Sequence, residues 1–337
     1  MTVPAMRKHW IVTGANGYLG GELCKGLHRM GVHVHALARK GRPLDALDEL
    51  GIESHSYEDF SAVLTESCVV VHCAGKVSTE GSWAEYTSVN IDWSVLLFDQ
   101  STAAGAKCFV YVSSVAALGY QNRFVDTPLD ESAKPQLIPG ELYGRSKWLA
   151  EQALLKKAQD NATRLIVLRP GFIYGHRPLV RQQTWLRRGT MVDPLQRVPM
   201  VHIDSFTAAL KLTVDTPEVD GIFFVVDSGQ PTLHELNVEK LRLGLMQYHP
   251  WRIGRAGFWL LNAARMVVRL SRGQFRRLPK GYSMAQYYFQ TRRLLYSAEK
   301  LSLRVGWNPN VRLTDGLAEC VRQEKTTKAR PPLDQHA

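Results

Sequence analysis

Apolar residues in the first half of the chain fall into short continuous runs, separated by segments with helical spacing. His9-Trp-Ile-Val-Thr13 is such a run and stops at glycines. Tyr18 to Met30 carries apolar residues at helical intervals and ends at Gly31, whereas Val32 to Ala38 alternates with the period of a strand. Cys68-Val-Val-Val-His-Cys73 does not alternate, as expected of a strand covered on both faces. Trp83 to Ala104 predicts one long helix closed by Gly105, and Lys107 to Ser113 another buried strand. Glu141 to Asp160 predicts a helix and Arg164 to Leu168 a further strand. Alternation of this kind predicts an α/β fold, a doubly wound parallel sheet with right-handed crossovers.

The second half changes character. Pro178 to Pro199 is Arg-rich and irregular, and Gly221 to Asp227 returns to a buried strand. Between Glu239 and Glu299 there is no Asp or Glu, against twelve Lys or Arg. Phe258 to Arg276 reads as an amphipathic helix with Arg265, Arg269, Arg272 and Arg276 in one stripe. Such a helix either lies on an anionic membrane surface, over residues 252–280, or packs on a core with a solvated basic face.

Composition narrows the function class. The 337 residues fit one large α/β domain plus a smaller lobe, and 45% apolar with 22% charged residues is ordinary for a folded chain. A formal charge of +11 suits a phosphate-bearing ligand, an acidic partner or an anionic surface. No nucleic-acid module accompanies it. The five cysteines form no C-x-x-C pair, which suggests free thiols in a reducing compartment. Met1 to His9 has no signal-type apolar stretch, and no run reaches the roughly 18 residues needed to span a bilayer. The expectation is a cytoplasmic protein, with peripheral membrane contact left open.

Thr13-Gly14-Ala-Asn-Gly17-Tyr-Leu-Gly20 follows the first strand and opens a helix. Gly14 suits a tight turn, Gly17 a close backbone approach to a pyrophosphate, and Gly20 helix–strand packing. Exposed amides at the helix start would bind the phosphates, and Asn16, Tyr18 and Leu19 belong to the same loop. An NAD site usually has Asp or Glu at the end of the second strand, where this chain has Ala36-Leu-Ala-Arg39-Lys40. Arg39 could grip a 2′-phosphate, so NADP(H) is favoured over NAD(H); the alternative is an Arg39 that stacks on adenine or is solvated.

Tyr143-Gly-Arg-Ser-Lys147 starts a helix, and i, i+4 spacing makes Tyr143 and Lys147 neighbours. A free tyrosine titrates near pH ~10; a nearby ammonium would lower that and make Tyr143 an acid/base. The bland reading is a partly exposed Tyr with an i, i+4 Lys. Ser113 and Ser114 end a buried strand, at the edge where parallel sheets bind ligands. Ser114 could hold a substrate oxygen near Tyr143, or simply cap a turn. His202 and Asp204 read as packing residues, with no metal ligand set around them.

These motifs together resemble the extended short-chain dehydrogenase/reductases, the NAD-dependent epimerase/dehydratase group. The resemblance rests on Thr13 to Gly20, Val71-His-Cys-Ala-Gly75, Asn90, Tyr111-Val-Ser-Ser114 before Gly119, and Asp130-Glu131 ahead of Tyr143 to Lys147. It continues through Leu168-Arg-Pro-Gly-Phe-Ile-Tyr-Gly175 and Val201-His-Ile-Asp204. It implies a Rossmann domain at 1–175 with a returning segment near 200–230, a substrate lobe at 176–199 and 231–325, and a frayed tail at 326–337. It implies that Ser114 polarises the substrate, that Tyr143 is the acid/base, and that Lys147 holds Tyr143 and the nicotinamide ribose. Ala74, Gly75, Ser113, Pro170, Gly171 and Ile173 would line the cofactor. The helices Trp83 to Ala104 and Glu141 to Asp160 resemble the group's dimer-forming pair, which implies a homodimer.

The chain also departs from the pattern. The Asp expected after the third strand has no clear match, with Tyr57-Glu58-Asp59 the place to look. Ile-Asp-Trp follows Asn90 in place of small residues. Val115-Ala116 stand where dehydratases carry Asp-Glu, so dehydration is disfavoured. The Arg39 ending and the serine pair look more like the branch with 3β-hydroxysteroid dehydrogenases and dihydroflavonol reductases. The leading expectation is hydride transfer between a ketone and a secondary alcohol on a medium-sized apolar or sterol-like small molecule. The alternatives are a nucleotide-sugar epimerase or reductase, with Arg177, Arg181, Arg187 or Arg188 on a diphosphate, and a non-catalytic dinucleotide-binding protein.

Overall fold

The computed structural model describes residues 9–77, 81–119, 127–138, 140–176, 190–271, 284–309 and 311–329. From the N-terminus the chain forms β1 (His9–Thr13), α1 (Tyr18–Arg29), β2 (His33–Ala38), α2 (Asp45–Asp48), β3 (Glu53–Ser56), α3 (Phe60–Val63) and β4 (Val69–His72). Then come α4 (Trp83–Tyr86), α5 (Trp93–Ala103), β5 (Cys108–Val112), α6 (Leu142–Ala158), β6 (Arg164–Pro170) and β7 (Phe172–Tyr174). The remainder comprises β8 (Thr190–Met191), β9 (Met200–His202), α7 (Ile203–Asp215), β10 (Gly221–Val225), α8 (Leu233–Arg242) and β11 (Trp251–Arg252). The chain finishes with α9 (Gly254–Ser271), α10 (Met284–Thr291), α11 (Glu299–Val305) and α12 (Leu313–Ala329).

Seven parallel strands make the main sheet, in the order β10-β6-β5-β4-β1-β2-β3. Its two faces explain the unbroken apolar runs. On one face Val12, Val69, Val71, Val110 and Leu168 pack with Leu23 and Leu27 of α1 and Phe206 and Leu210 of α7. On the other, Ile11, Val70, Phe109, Tyr111 and Val167 pack with Leu97 and Phe98 of α5 and Ala150 and Leu154 of α6. Neighbouring residues of one strand serve opposite cores, so every position is apolar. The chain order reverses between β1 and β4, which opens a crevice at the carboxyl ends of those strands.

Three elements differ from the sequence expectation. Trp83 to Ala104 is helical but not uniformly α: Thr87–Asp92 forms a π-helical turn between α4 and α5. The extra residue of that turn faces Asn90 inward, where it bonds Ser146 Oγ at 2.8 Å and holds the Lys76 backbone. α12 continues through residues 326–329, which the sequence reading assigned to a frayed tail. β3 has no apolar alternation to announce it, being Glu-Ser-His-Ser on the sheet edge.

Beyond the sheet, β7 pairs with β9 and β8 with β11 in two small sheets. Tyr174, Met200, Leu236, Leu245, Leu317 and Cys320 form a separate core there. All five cysteines are free thiols, Cys73 alone being only partly buried. No helix among the described residues is long and apolar enough to cross a membrane. Within α9, Phe258 is buried while Leu260, Val267 and Val268 are exposed. Arg272 and Arg276 of the expected basic stripe, and Arg177, Arg181, Arg187 and Arg188, lie outside the described residues.

Candidate active site

One cleft of about 1250 Å³ runs along the carboxyl edge of the sheet. It is lined by Gly14, Asn16, Gly17, Tyr18, Leu19, Gly20, Arg39, Ala74 and Gly75 on the β1, β2 and β4 side. Ser113, Ser114, Tyr143, Lys147, Pro170, Gly171 and Ile173 line the other side. These residues thus line one volume, although they come from the ends of five strands, from β7 and from two helices.

The loop after β1 is built for close approach. Gly14 has φ +77°, and a Cβ on Gly20 would lie 2.3 Å from the Gly14 carbonyl oxygen. Only glycine lets α1 start so near the strand. Gly17 is the N-cap of α1, with no side-chain cap and no acidic residue in the first turn. The helix start therefore keeps its positive end for an anion. The open cleft, the uncapped helix end and the Cβ-free loop fit the pyrophosphate of a dinucleotide. Tyr18 lines the cleft, and its hydroxyl donates to the Gly175 carbonyl at 2.7 Å, which ties the loop to β7.

Tyr57, in the segment where the sequence offered no clear Asp, lines the cleft and supports the loop. Its hydroxyl accepts from the Gly14 amide at 3.0 Å and so buttresses the phosphate loop. Asp59 is consumed in a capping box with Ser56, and Glu58 pairs with Lys40. Behind the loop, a buried polar chain links Thr13 Oγ1 to His72 Nδ1 at 2.8 Å and His72 Nε2 to Ser94 Oγ at 2.9 Å. Burial holds the His72 imidazole down at about 3, so it stays neutral between two hydroxyls. Neither contact has a signature in local spacing.

α6 brings Tyr143 and Lys147 to the strand end. A Cβ on Gly144 would fall 2.1 Å from the Ala116 carbonyl oxygen, so glycine in Tyr-Gly-Arg-Ser-Lys lets the helix touch the turn after β5. Glu141 caps α6 by accepting from the Gly144 amide at 2.8 Å and the Arg145 amide at 3.1 Å. Ser114 serves two roles at once. Its oxygen accepts from the Ala116 amide at 3.1 Å, capping a 3₁₀ turn (Val115–Leu118), and its hydroxyl bonds the Tyr143 phenol.

The electrostatics correct one expectation. Lys147 does not pull the Tyr143 titration down. Burial pushes the phenol up to about 12, against a smaller opposing effect of the Ser114 hydrogen bond. The Lys147 ammonium instead donates to the Val112 carbonyl at 2.8 Å and sits 4.7 Å from the Tyr111 ring centre. Burial lowers it to about 8. Desolvation wins because both groups sit where protein has displaced water.

Ser113 also has a buried partner. It borders the cleft, but its hydroxyl donates to Glu151 at 2.5 Å. Glu151 is fully buried and takes a two-pronged pair from Arg169, at 2.9 and 2.6 Å. Ser113 therefore anchors the end of β5 to α6 and β6. At the lobe junction, His176 bonds Glu22 at 2.8 Å and Asp204 at 3.2 Å, while His202 caps α7 and meets Glu319 at 3.0 Å. The bonds to Asp204 and Glu22 raise His176 to about 10, so a charged imidazole holds these carboxylates together.

The outer cleft combines apolar side chains with Lys76, Glu85, Ser88 and Asp92. Val77, Val89, Trp93, Leu96, Phe172 and Phe289 line it, with Arg292 among them, its guanidinium 4.7 Å from the Phe289 ring centre. Phe289 and Arg292 were not anticipated, since they come from α10 and the segment after it, where nothing in the local pattern marks a site.

A family model, the NAD dependent epimerase/dehydratase family, matches residues 10–190. The UDP-glucose 4-epimerase of Vibrio cholerae is 25% identical over 258 residues, covering 71% of this chain and 76% of its own. The 2-alkyl-3-oxoalkanoate reductase of Shewanella oneidensis is 26% identical over 247 residues, covering 66% of this chain and 62% of its own. The crystal structure of a UDP-glucuronic acid 4-epimerase variant from Bacillus cereus, in complex with a fluorinated UDP-glucuronic acid and NAD, superposes with a TM-score of 0.70. It shares 17% identity over 95% of this chain and 99% of that one, a likeness of fold. A matched family model over more than half the chain, and a cleft shaped for a dinucleotide beside Ser114, Tyr143 and Lys147, lead to one assignment: the chain is an NAD(P)-dependent enzyme of the NAD-dependent epimerase/dehydratase family, within the extended short-chain dehydrogenase/reductases.

Proposed function

We propose that the enzyme interconverts a ketone and a secondary alcohol on a medium-sized apolar or sterol-like small molecule, with NADP(H) preferred over NAD(H). The observation that carries this reading is the convergence of Ser114, Tyr143 and Lys147 with the Gly14 loop on one cleft, whose outer wall holds Val77, Val89, Leu96, Phe172 and Phe289 beside a smaller polar share. When bound, the dinucleotide supplies or accepts hydride at its nicotinamide ring. The residues of the chain do the rest. Ser114 and Tyr143 hold the substrate oxygen between them. With its titration pushed up to about 12, Tyr143 is a protonated phenol at neutral pH, suited to donate to a carbonyl oxygen during reduction. Lys147, whose ammonium lies beside Gly75, would hold Tyr143 and the nicotinamide ribose of a bound cofactor. Val115 and Ala116, both buried, offer no proton shuttle, which argues against elimination.

Tyr143→Phe is expected to abolish turnover while leaving cofactor affinity unchanged; a variant that keeps wild-type turnover would sink the catalytic assignment. Arg39, which follows β2 where an NAD site usually has Asp or Glu and which lines the cleft, supports the NADP(H) preference. Equal or tighter NADH binding by the wild type would overturn it.

A nucleotide-sugar epimerase or reductase is the second reading. Arg292 in the cleft wall favours it, as do the nucleotide-sugar epimerases among the relatives. Saturable UDP-glucose binding with no ketone turnover would choose it over the first. We also propose a homodimer through the α4–α5 and α6 faces, checked by light scattering. Peripheral membrane contact through 252–280 is supported by the apolar residues that α9 exposes. Failure to bind anionic vesicles at low salt would end that part.

A further inference from the structure

The amino ends of β1, β2 and β3 carry a second cluster of chemistry-bearing side chains, at the edge of the sheet opposite the cofactor cleft. His9, His33 and Glu53 are the first residues of their strands. The strands run about 15 Å before they reach the cleft. His33 and His35 on β2 share one face, as do Glu53 and His55 on β3, because alternate residues point the same way. The parallel register aligns His9 with His33 and His35 with Glu53. Four imidazoles and one carboxylate are thus gathered on one patch.

We propose that this patch is a binding site for a zinc-class divalent transition metal, held by His33 Nε2, His35 Nδ1 and the Glu53 carboxylate, with His55 able to supply a fourth ligand. The donor atoms of the first three already lie within 4.8 Å of one another. His33 Nε2 is 2.9 Å from Glu53 Oε1, and His35 Nδ1 is 3.6 Å from Glu53 Oε2. His55 Nε2 lies 2.9 Å from His35 Nδ1 and 4.0 Å from Glu53 Oε2. Tetrahedral zinc with bonds of about 2.0–2.2 Å needs ligand atoms about 3.3–3.5 Å apart. The separations here straddle that value, so small side-chain rotations suffice.

The chemistry and the access agree with the geometry. His33 and Glu53 are half exposed and provide the entry path, while His35 is set deeper. His9 packs edge-on against His35, its ring centre 4.9 Å away, and its Nε2 bonds the Val63 carbonyl at 2.9 Å, so it orients the cluster instead of ligating. Imidazole and carboxylate ligands together suit zinc, nickel or copper more than calcium or magnesium. A metal here would pin the edge strand β3 to β2. That strand leads directly into Tyr57, the buttress of the phosphate loop.

The test uses the untagged full-length chain titrated with zinc chloride, with binding followed by calorimetry and melting temperature. The wild type is expected to take up one equivalent and to melt at higher temperature with zinc. His33→Ala and Glu53→Gln, both at exposed positions that tolerate change, are expected to bind more weakly by at least about 10–100-fold, the loss typical even of a group that only orients a ligand. Cobalt(II) in the same site should give d–d bands without a thiolate charge-transfer band, which separates this cluster from the cysteines. No saturable zinc uptake, unchanged uptake in both variants, or a thiolate band would each overturn the proposal.

Discussion

The Glu151–Arg169 pair offers the sharpest energetic test of how the active site is supported. Both side chains are almost wholly buried, the guanidinium reaches the carboxylate at 2.6 and 2.9 Å, and Ser113 adds a third bond to the same carboxylate. Removing one partner leaves an uncompensated charge in the interior, which costs about 3–5 kcal/mol. Glu151→Ala and Arg169→Met should each lose that much stability. A domain of this kind has only about 5–15 kcal/mol to lose, so either change takes a large share. Replacing both by apolar residues, Glu151→Ala with Arg169→Met, removes both desolvation penalties. The double variant should therefore be at least as stable as either single variant, which requires a coupling energy of about 3 kcal/mol or more between the sites. Urea unfolding followed by tryptophan fluorescence measures this, since Trp10 and Trp307 are buried and report on the folded core. Single variants that lose less than about 1 kcal/mol, or a cycle that is strictly additive, would refute the reasoning. Glu151→Gln adds a check: it can still accept from Ser113 but cannot balance Arg169, so it should resemble the alanine variant.

Other consequences follow from single contacts. Gly20→Ala puts a Cβ 2.3 Å from the Gly14 oxygen, so the loop must move; cofactor affinity should fall at least about tenfold by fluorescence titration, and unchanged affinity would contradict the close approach. His176 is raised to about 10 by Asp204 and Glu22, so its stabilisation is complete below pH ~6.5 and is lost as pH rises toward 10. The full shift would correspond to about 4–5 kcal/mol, and the half-exposed Asp204 reduces this to about 2–3. His176→Gln should thus lower the melting temperature at pH 6 and have little effect at pH 10; an equal loss at both would deny the ion-pair role. Tyr57→Phe leaves the Gly14 amide without its acceptor, which should cost about 1–2 kcal/mol in urea unfolding.

Much of this enzyme can be read from local pattern. β1, β4 and β5 are recognisable because residues packed on both faces must all be apolar, and a parallel sheet follows from their alternation with helices. The Gly14 loop and the Tyr143–Lys147 pair are visible because short-range geometry fixes what glycine and i, i+4 spacing can do. Contacts between distant segments leave no such mark. Gly14 meets Tyr57 across 43 positions, and Ser113 meets Glu151 across 38. The direction of the Tyr143 shift depends on how much water the packed neighbours exclude, and so does that of His72. The histidine patch needs the register of β2 on β3, and β3 is too short and too polar to declare itself. Backbone periodicity is a local property of the chain, whereas desolvation and cross-strand adjacency arise only when the chain has folded back on itself.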